Sequence, residues 1–252
     1  MSNVLTMILA GGEGARLKPL TAVRTKPAVP FGGNYRIIDF VLSNFVNSGL
    51  LNIFVLTQFK SHSLMQHLRE GWRFSSGIVK QFIDPVPAQM RTGKKWYEGT
   101  ADAIFQNMNL IDDEDPDQVC IFGGDHIYRM DIRQMLKFHS KRQAVLTVAA
   151  IPVPVKDAHH FGIIEVDEEW RMVSFEEKPK RNPKTIPGDS DYVLASMGNY
   201  IFERTPLVKE LKSDAADKKS SHDFGNDSLR RMYPDGKVFV YDFSQNHIPG
   251  AE

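Results

Sequence analysis

The sequence predicts an α/β fold: a mainly parallel central sheet covered by helices. Two observations point to it. Short, nearly all-apolar runs such as Val4, Leu5, Met7, Ile8 and Leu9 mark strands buried on both faces. Those runs alternate with stretches whose apolar residues fall at helical spacing, the order of strand–helix–strand units in a parallel sheet. At 252 residues the chain can bury a full core, and α/β units of this size count as one domain.

The first strand breaks into Gly11, Gly12, Glu13, Gly14, Ala15 and Arg16. Glycines there let the backbone take positive φ and approach a ligand with no Cβ in the way. Successive amides in such a turn form an anion-binding concavity. Arg16 adds a planar fork of donors, and Lys26 a compact charge. The pattern is not a dinucleotide fingerprint, because Gly12-Glu13-Gly14 is followed by Ala15-Arg16-Leu17 without the third glycine. Nor is there a phosphate loop of the Gly-Lys-Ser/Thr type, since Gly93-Lys94-Lys95 and Gly236-Lys237-Val238 lack both the hydroxyl and the distal glycine. From these residues alone, a phosphate site and an ordinary strand-to-helix turn both stand open.

Ile38, Val41, Leu42, Phe45 and Val46 predict a helix between Tyr35 and Gly49, with the glycine as its stop. A strand follows at Ile53–Thr57, then a helix from Ser61, as cap, to Glu70. Arg73 to Tyr97, with Pro85, Pro87 and Gly93, reads as a long functional loop around one short strand. Thr100 is the expected cap of a helix over Ala101–Ile111, with Asp102 in its first turn. An acidic turn at Asp112–Asp117 precedes a buried strand at Val119–Phe122. Asp131 would cap a helix whose face carries Ile132, Met135, Leu136 and His139, and Ala144–Ile151 is a further strand.

Beyond Pro152, short strands at Gly162–Val166, Arg171–Phe175 and Ser196–Phe202 predict an antiparallel extension, with Lys178–Asp191 as an excursion. Helices at Pro206–Leu211 and Asp223–Met232 precede a last strand, Val238–Phe243. No repeat or flexible linker interrupts this, so one domain with two lobes is expected.

Lys and Arg together number 31, as do Asp and Glu, so no basic field draws the chain to nucleic acid or an anionic membrane. The single cysteine, Cys120, lies in an apolar run and reads as core; an internal disulfide framework is excluded, which suits a reducing cytoplasm. No apolar run reaches the roughly 18 residues of a membrane-spanning helix. Asp125 follows Gly123 and Gly124 at the end of a buried strand, where open α/β sheets place their ligands. A carboxylate there can hold Mg²⁺ against nucleotide phosphates, though a turn aspartate bonding its own backbone has the same sequence. His62, His67, His159, His160 and His222 show no metal-ligand spacing, and His126, next to Asp125, would point to the opposite side of an extended chain.

The stretches LAGGEGARL, TKPAVPFGG and YRIIDF resemble the opening of the sugar-nucleotide pyrophosphorylases. SHSLMQHLREGW, PAQM, WYEGTADA, FGGDHIY, FEEKP, LASMGNYIF and SSHDFG resemble its ADP-glucose pyrophosphorylase (glucose-1-phosphate adenylyltransferase) branch, from about Thr6 to the last residue. The resemblance implies a three-layer sandwich of the nucleotide-diphospho-sugar transferase, Rossmann-like type. It implies ATP and α-D-glucose 1-phosphate as substrates, ADP-glucose and pyrophosphate as products, Mg²⁺ as cofactor, a role in glycogen synthesis and a cytoplasmic homotetramer. By the same resemblance Arg16, Lys26 and Asp125 are catalytic, with Asp125 on the metal. Leu9, Ala10, Gly11, Gly12, Gly14, Gln89, Gly99 and Thr100 would bind nucleotide. Tyr97, Gly162, Glu177, Lys178 and Ser196 would bind the sugar phosphate.

Arg24 and Arg36 match effector-site arginines, whereas Val23 and Pro30 replace an activator-binding lysine and an inhibitor-site histidine of enterobacterial relatives. The family's second metal-binding aspartate and its left-handed β-helix domain would follow Glu252, so the chain reads as a catalytic domain without that part. Two other functions share the pattern: a nucleotidylyltransferase using UTP, GTP or dTTP, and a non-catalytic subunit that binds sugar nucleotide.

Overall fold

The computed structural model describes residues 3–12, 14–73, 81–89, 91, 96–181 and 183–250. In chain order its main elements are β1 (Val4–Leu9), β2 (Pro30–Phe31), β3 (Tyr35–Arg36), α1 (Ile37–Asn47), β4 (Asn52–Thr57), α2 (His62–Gly71) and β5 (Phe82–Pro87). There follow α3 (Thr100–Phe105), α4 (Met108–Glu114), β6 (Gln118–Gly123), α5 (Ile132–Arg142), β7 (Leu146–Pro154), β8 (Gly162–Val166) and β9 (Met172–Glu177). The chain closes with β10 (Tyr192–Glu203), α6 (Arg204–Ala216), α7 (Leu229–Met232) and β11 (Val238–Asp242). Two compact units result. The first holds the chain through Tyr97 together with Gln106–Ile132; the second holds Glu98–Phe105 and the chain from Arg133 onward.

The first unit is the parallel sheet the sequence predicts. β1 pairs with β4 on one side and β6 on the other, and β4 pairs with β5, all parallel. Buried side chains on both faces, Leu5, Met7 and Ile8 of β1 among them, explain why this strand lacks polar alternation. Ile38, Val41, Leu42 and Phe45 of α1 are fully or nearly fully buried, each contributing about 1.5–3 kcal/mol. Phe45 meets Phe122 of β6 edge-to-face at 4.8 Å. β5 carries Pro85 and Pro87 and pairs with β4 alone among the described residues, the edge position that prolines tolerate. Tyr35 and Arg36 do not begin α1; they pair with Pro30 and Phe31 in a small hairpin, and the helix starts at Ile37. Gly49, the expected stop, has a left-handed φ of 74°.

The second unit is largely antiparallel, as expected. β10 pairs antiparallel with β7 and β8, β8 pairs antiparallel with β9, and β11 runs parallel to its neighbour β7. Its core holds Leu146, Val148, Ile201, Phe202, Leu207, Leu211, Leu229 and Val240.

Several predicted starts and lengths are corrected. The helix expected over Ala101–Ile111 is two helices, α3 and α4, parted at Gln106 and Asn107. Ser61 precedes α2 but its hydroxyl makes no capping bond and lies 3.7 Å from Met65 Sδ. The helix expected over Asp223–Met232 opens as a π-type turn, Phe224–Ser228, which Asp223 caps by accepting from Asn226 N. Positions 74–80, 90 and 92–95 of the expected long loop lie outside the described residues. Cys120 is fully buried, and burial pushes its thiol far above the ordinary range.

Candidate active site

In the first unit the predicted nucleotide residues gather where strands end. β1 leads into Ala10–Gly14, β5 into Ala88 and Gln89, and β6 into Gly124 and Asp125, all at carboxyl ends of parallel strands. Glycine serves a different purpose at each loop position. Gly14 alone among Gly11, Gly12 and Gly14 has positive φ, +64°, which corrects the expectation of a generally left-handed turn. A Cβ on Gly14 would stand 2.9 Å from Lys26 Cβ, and one on Gly11 would stand 3.2 Å from Gln58 Cβ. A Cβ on Gly12 would meet nothing within 4 Å, so this exposed glycine faces open space. Glu13 lies outside the described residues.

Two threonines hold the turn from behind. Thr25 Oγ1 donates to the carbonyls of Ala10 at 3.1 Å and Gly12 at 3.2 Å, and Thr21 Oγ1 donates to Gly14 O at 2.8 Å. Carbonyls tied backward in this way leave the loop face to its amides, the arrangement that suits an anion.

Lys26 and Asp125, 99 residues apart in sequence, meet here: Lys26 Nζ donates to Asp125 Oδ2 at 2.9 Å. Both side chains are about one-third exposed, so a ligand can reach the pair. His126 Nδ1 lies 3.6 Å from Asp125 Oδ1, on the same side rather than the opposite one. The reason is that the chain turns after β6 instead of continuing extended. Arg16 is exposed on a short 3₁₀ turn, Ala15–Leu17, two residues beyond Gly14; its side chain has no hydrogen bond or ion pair among the described residues. Gln89 is exposed and accepts from Arg91 Nε at 3.1 Å. Tyr97 anchors its backbone N–H on Gln58 Oε1 at 2.8 Å, and its hydroxyl accepts from Asn107 Nδ2 at 2.9 Å.

Arg24 and Arg36, the arginines expected at an effector site, also belong to this unit. Arg36 Nη1 donates to Ser63 O at 2.5 Å; burial, with the nearby Arg24 charge, pulls its guanidinium below its ordinary value. Arg24 Nε is buried with no hydrogen-bond partner among the described residues.

The second unit builds its own cluster. Gly162 and Glu177 are register partners across β8 and β9, and Lys178 N donates to Phe161 O at 2.9 Å. Lys178 stands at φ 47°, its ammonium 2.5 Å from Glu177 Oε1. A Cβ on Gly162 would come within 2.6 Å of the Phe175 ring and 2.8 Å of Glu177 Oε2, so this glycine makes room for its own neighbours. Ser196 sits where the β10–β7 register shifts, a bulge before Asn199, and its hydroxyl accepts from Gly198 N at 3.2 Å. Tyr200 is buried and hydrogen-bonded to Ser196; burial first, then the Asp223 and Glu177 carboxylates, push its phenol well above its ordinary value. Thr100, the first residue of α3, donates to Asp223 Oδ2 and accepts from Phe224 N, both at 2.9 Å. Its hydroxyl is therefore taken, and the α3 amides of Ala101 and Asp102 turn to His222 O instead, which corrects the expected cap.

The family model for nucleotidyl transferases matches residues 5–247 of this chain. The chain belongs to the nucleotidyl transferase family. Among its relatives, the glucose-1-phosphate adenylyltransferase of Aliivibrio fischeri (strain MJ11) is 65% identical over 252 residues, which is all of this chain and 62% of that protein. Glucose-1-phosphate adenylyltransferase 1 of Vibrio parahaemolyticus serotype O3:K6 is 63% identical over the same span, and the Anaeromyxobacter sp. (strain Fw109-5) glucose-1-phosphate adenylyltransferase is 60% identical over 250 residues. The chain thus spans just over three-fifths of the length of these relatives.

For this nucleotidyl transferase the residues sequence reasoning passed over are Gln58, Tyr200 and Asp223. Gln58 follows β4 as the glycine loop follows β1, a strand-end signal that was available. Tyr200 read only as part of an apolar strand, and Asp223 only as the start of a helix and a letter of a motif. Among the described residues no group of three or more His, Cys, Asp or Glu could by itself cage a metal ion. Asp125, a part-exposed carboxylate that already holds a cation, fits Mg²⁺, which takes one or two carboxylates and completes its shell with phosphate oxygens and water. No helix among the described residues is long and apolar enough to cross a membrane.

Proposed function

We propose that this chain is the catalytic part of a glucose-1-phosphate adenylyltransferase, which joins ATP and α-D-glucose 1-phosphate into ADP-glucose and pyrophosphate for glycogen synthesis in the cytoplasm. The observation behind it is the Lys26–Asp125 pair beside a glycine turn whose carbonyls are tied back by Thr21 and Thr25. Identity of 60–65% with curated adenylyltransferases across the chain supports the choice of substrates.

The sugar phosphate oxygen is already ionised at neutral pH, so it needs positioning more than deprotonation. It attacks the α-phosphorus in line with the departing pyrophosphate, and the barrier is electrostatic because two anions meet. Amides of Gly11, Gly12 and Gly14, with Lys26, take the phosphates, and Arg16 neutralises charge on the transferring group. Asp125 would hold Mg²⁺, which when bound would supply further charge neutralisation. Gln89, Gly99 and Thr100 hold base and ribose; an amide can both donate to and accept from an adenine edge. Tyr97, Gly162, Glu177, Lys178 and Ser196 hold glucose 1-phosphate: Lys178 releases Glu177 for the phosphate, which frees the Glu177 carboxylate for sugar hydroxyls. Arg24 and Arg36 form part of a site for an anionic effector, to which Arg24 Nε, without a hydrogen-bond partner among the described residues, is suited. The whole enzyme works as a homotetramer.

Pyrophosphate release tests this reading, run with ATP, UTP, GTP and dTTP beside glucose 1-phosphate, on this chain and on a form with the relatives' full length. ATP-dependent release at least tenfold above the other nucleotides is expected. Equal use of UTP, or no release from the full-length form, would overturn it.

A further inference from the structure

We propose that His222 is a positioning residue for the nucleotide turn: gripped by Asp214, it fixes a left-handed backbone whose carbonyl and next side chain lock Gly99 and Thr100 in place. The inference rests on the reading of that turn as part of the nucleotide pocket and assigns what shapes it.

Consider first what grips the histidine. His222 Nδ1 lies 2.7 Å from Asp214 Oδ2, and Asp214 is almost fully buried on α6. The carboxylate also accepts from Ser220 Oγ at 2.6 Å and pairs with Arg231, whose Nε donates to Glu210 at 2.8 Å. Burial alone would raise Asp214; bonds from Ser220, His222 and Arg231 overcome it and hold the carboxyl below its ordinary value. A buried carboxylate kept charged by several donors is a rigid anchor, because releasing any one of them strands charge in a low-dielectric place.

The anchor acts through the backbone. His222 stands at φ 56°, a conformation that His and Asn adopt more readily than most side chains do. Its N–H is bonded to Ser220 Oγ at 3.0 Å, and its carbonyl accepts from Ala101 N at 2.8 Å and Asp102 N at 3.4 Å. Gly99 is pressed so close that a Cβ there would lie 2.2 Å from His222 O. The next residue, Asp223, accepts from Thr100 Oγ1, and the one after, Phe224, donates to the same hydroxyl. Three consecutive residues thus bind the turn from Gly99 to Asp102. Asp223 is also among the charges that bear on Tyr200, the hydroxyl bonded to Ser196.

The test is steady-state kinetics and thermal melting of the whole enzyme carrying His222→Gly, His222→Asn or Thr100→Val. Glycine keeps the positive φ and removes the grip; asparagine keeps both, its amide nitrogen standing where Nδ1 was. His222→Gly is expected to raise KM for ATP at least fivefold while kcat changes less than threefold, and His222→Asn to return KM to within twofold of the parent. A parental KM in His222→Gly, or equal impairment of the glycine and asparagine variants, would overturn the proposal. If Thr100→Val leaves KM for ATP unchanged, the reading of the turn as nucleotide pocket fails and takes this inference with it. Impairment in Thr100→Val but not in His222→Gly defeats the inference alone. Should the glycine variant fail to fold, Asp214→Asn, which weakens the same grip, is measured in its place under the same criteria.

Discussion

Lys26 Nζ and Asp125 Oδ2 stand 2.9 Å apart, joining the segment behind the glycine turn to the turn that follows β6. The pair is one-third exposed, so its net worth to stability is small, about 0–1 kcal/mol for such a bridge. Its value is positional: an ammonium and a carboxylate are held at one place on the rim of a parallel sheet. Lys26→Gln should therefore melt within a few degrees of the parent, yet lose about 10²–10³ in kcat, the scale for a preorganised donor at a charged transition state. Unchanged kcat would remove Lys26 from the phosphate site.

Gly12 and Gly14 are two residues apart and should respond oppositely to alanine. At Gly14 the new methyl meets Lys26 Cβ at 2.9 Å and Thr21 Cγ2 at 3.0 Å, on a backbone at φ +64°. The left-handed conformation alone costs about 1–2 kcal/mol, so Gly14→Ala is expected to lower the melting temperature. At Gly12 the methyl enters open space. Gly12→Ala should keep its stability within about 0.5 kcal/mol while raising KM for ATP several-fold. Denaturation curves beside ATP titrations check both halves.

The parallel half of the fold was legible because apolar runs report burial directly: β1, β4 and β6 each lie within a residue or so of where composition places them. Helix starts were less legible when their caps come from afar. Thr100 looks like a cap in sequence, but its hydroxyl is claimed by Asp223, 123 residues on, and the carbonyl that serves α3 belongs to His222. The same limit hid Tyr200, whose polar surroundings are assembled by β9 and the Asp223 turn. His126 was misplaced because alternation holds only while a chain stays extended, and β6 ends at Gly123. Asp125 is legible locally because it follows two glycines at a strand end. Lys26, ten residues past Arg16, is legible only as a charge after the glycine loop and through the resemblance, and the structure brings the two side chains together.

Asp39 gathers three donors at the start of α1. Its Oδ2 accepts from Arg36 N at 2.7 Å, while Oδ1 accepts from Trp72 Nε1 at 2.7 Å and lies 2.7 Å from His67 Nε2. The residue is buried, so Asp39→Ala leaves an indole N–H and an imidazole without their acceptor. Trp72 and His67 are only half-buried, so water recovers part of what they lose, and a loss of about 1–3 kcal/mol is expected. Urea unfolding of the variant should show it as a lowered midpoint; a loss below 1 kcal/mol would mean the three donors find water.

His139 makes the fold sensitive to acid. It is fully buried on α5, with Nδ1 2.7 Å from Thr147 Oγ1 and Nε2 3.1 Å from Glu203 Oε1. Burial lowers its pKa from the ordinary 6.5, and the opposing pull of Glu203 does not cancel it. As pH falls through about 6.5 the unfolded chain takes up this proton before the folded one does, so the unfolded state gains. The neutral ring's contribution is complete above that value and is lost progressively down to the folded pKa. Melting at pH 5.5 should fall below melting at pH 7.5, and His139→Gln, an uncharged side chain with a similar polar reach, should show a smaller difference between the two. An equal difference in the variant would place the acid sensitivity on other groups.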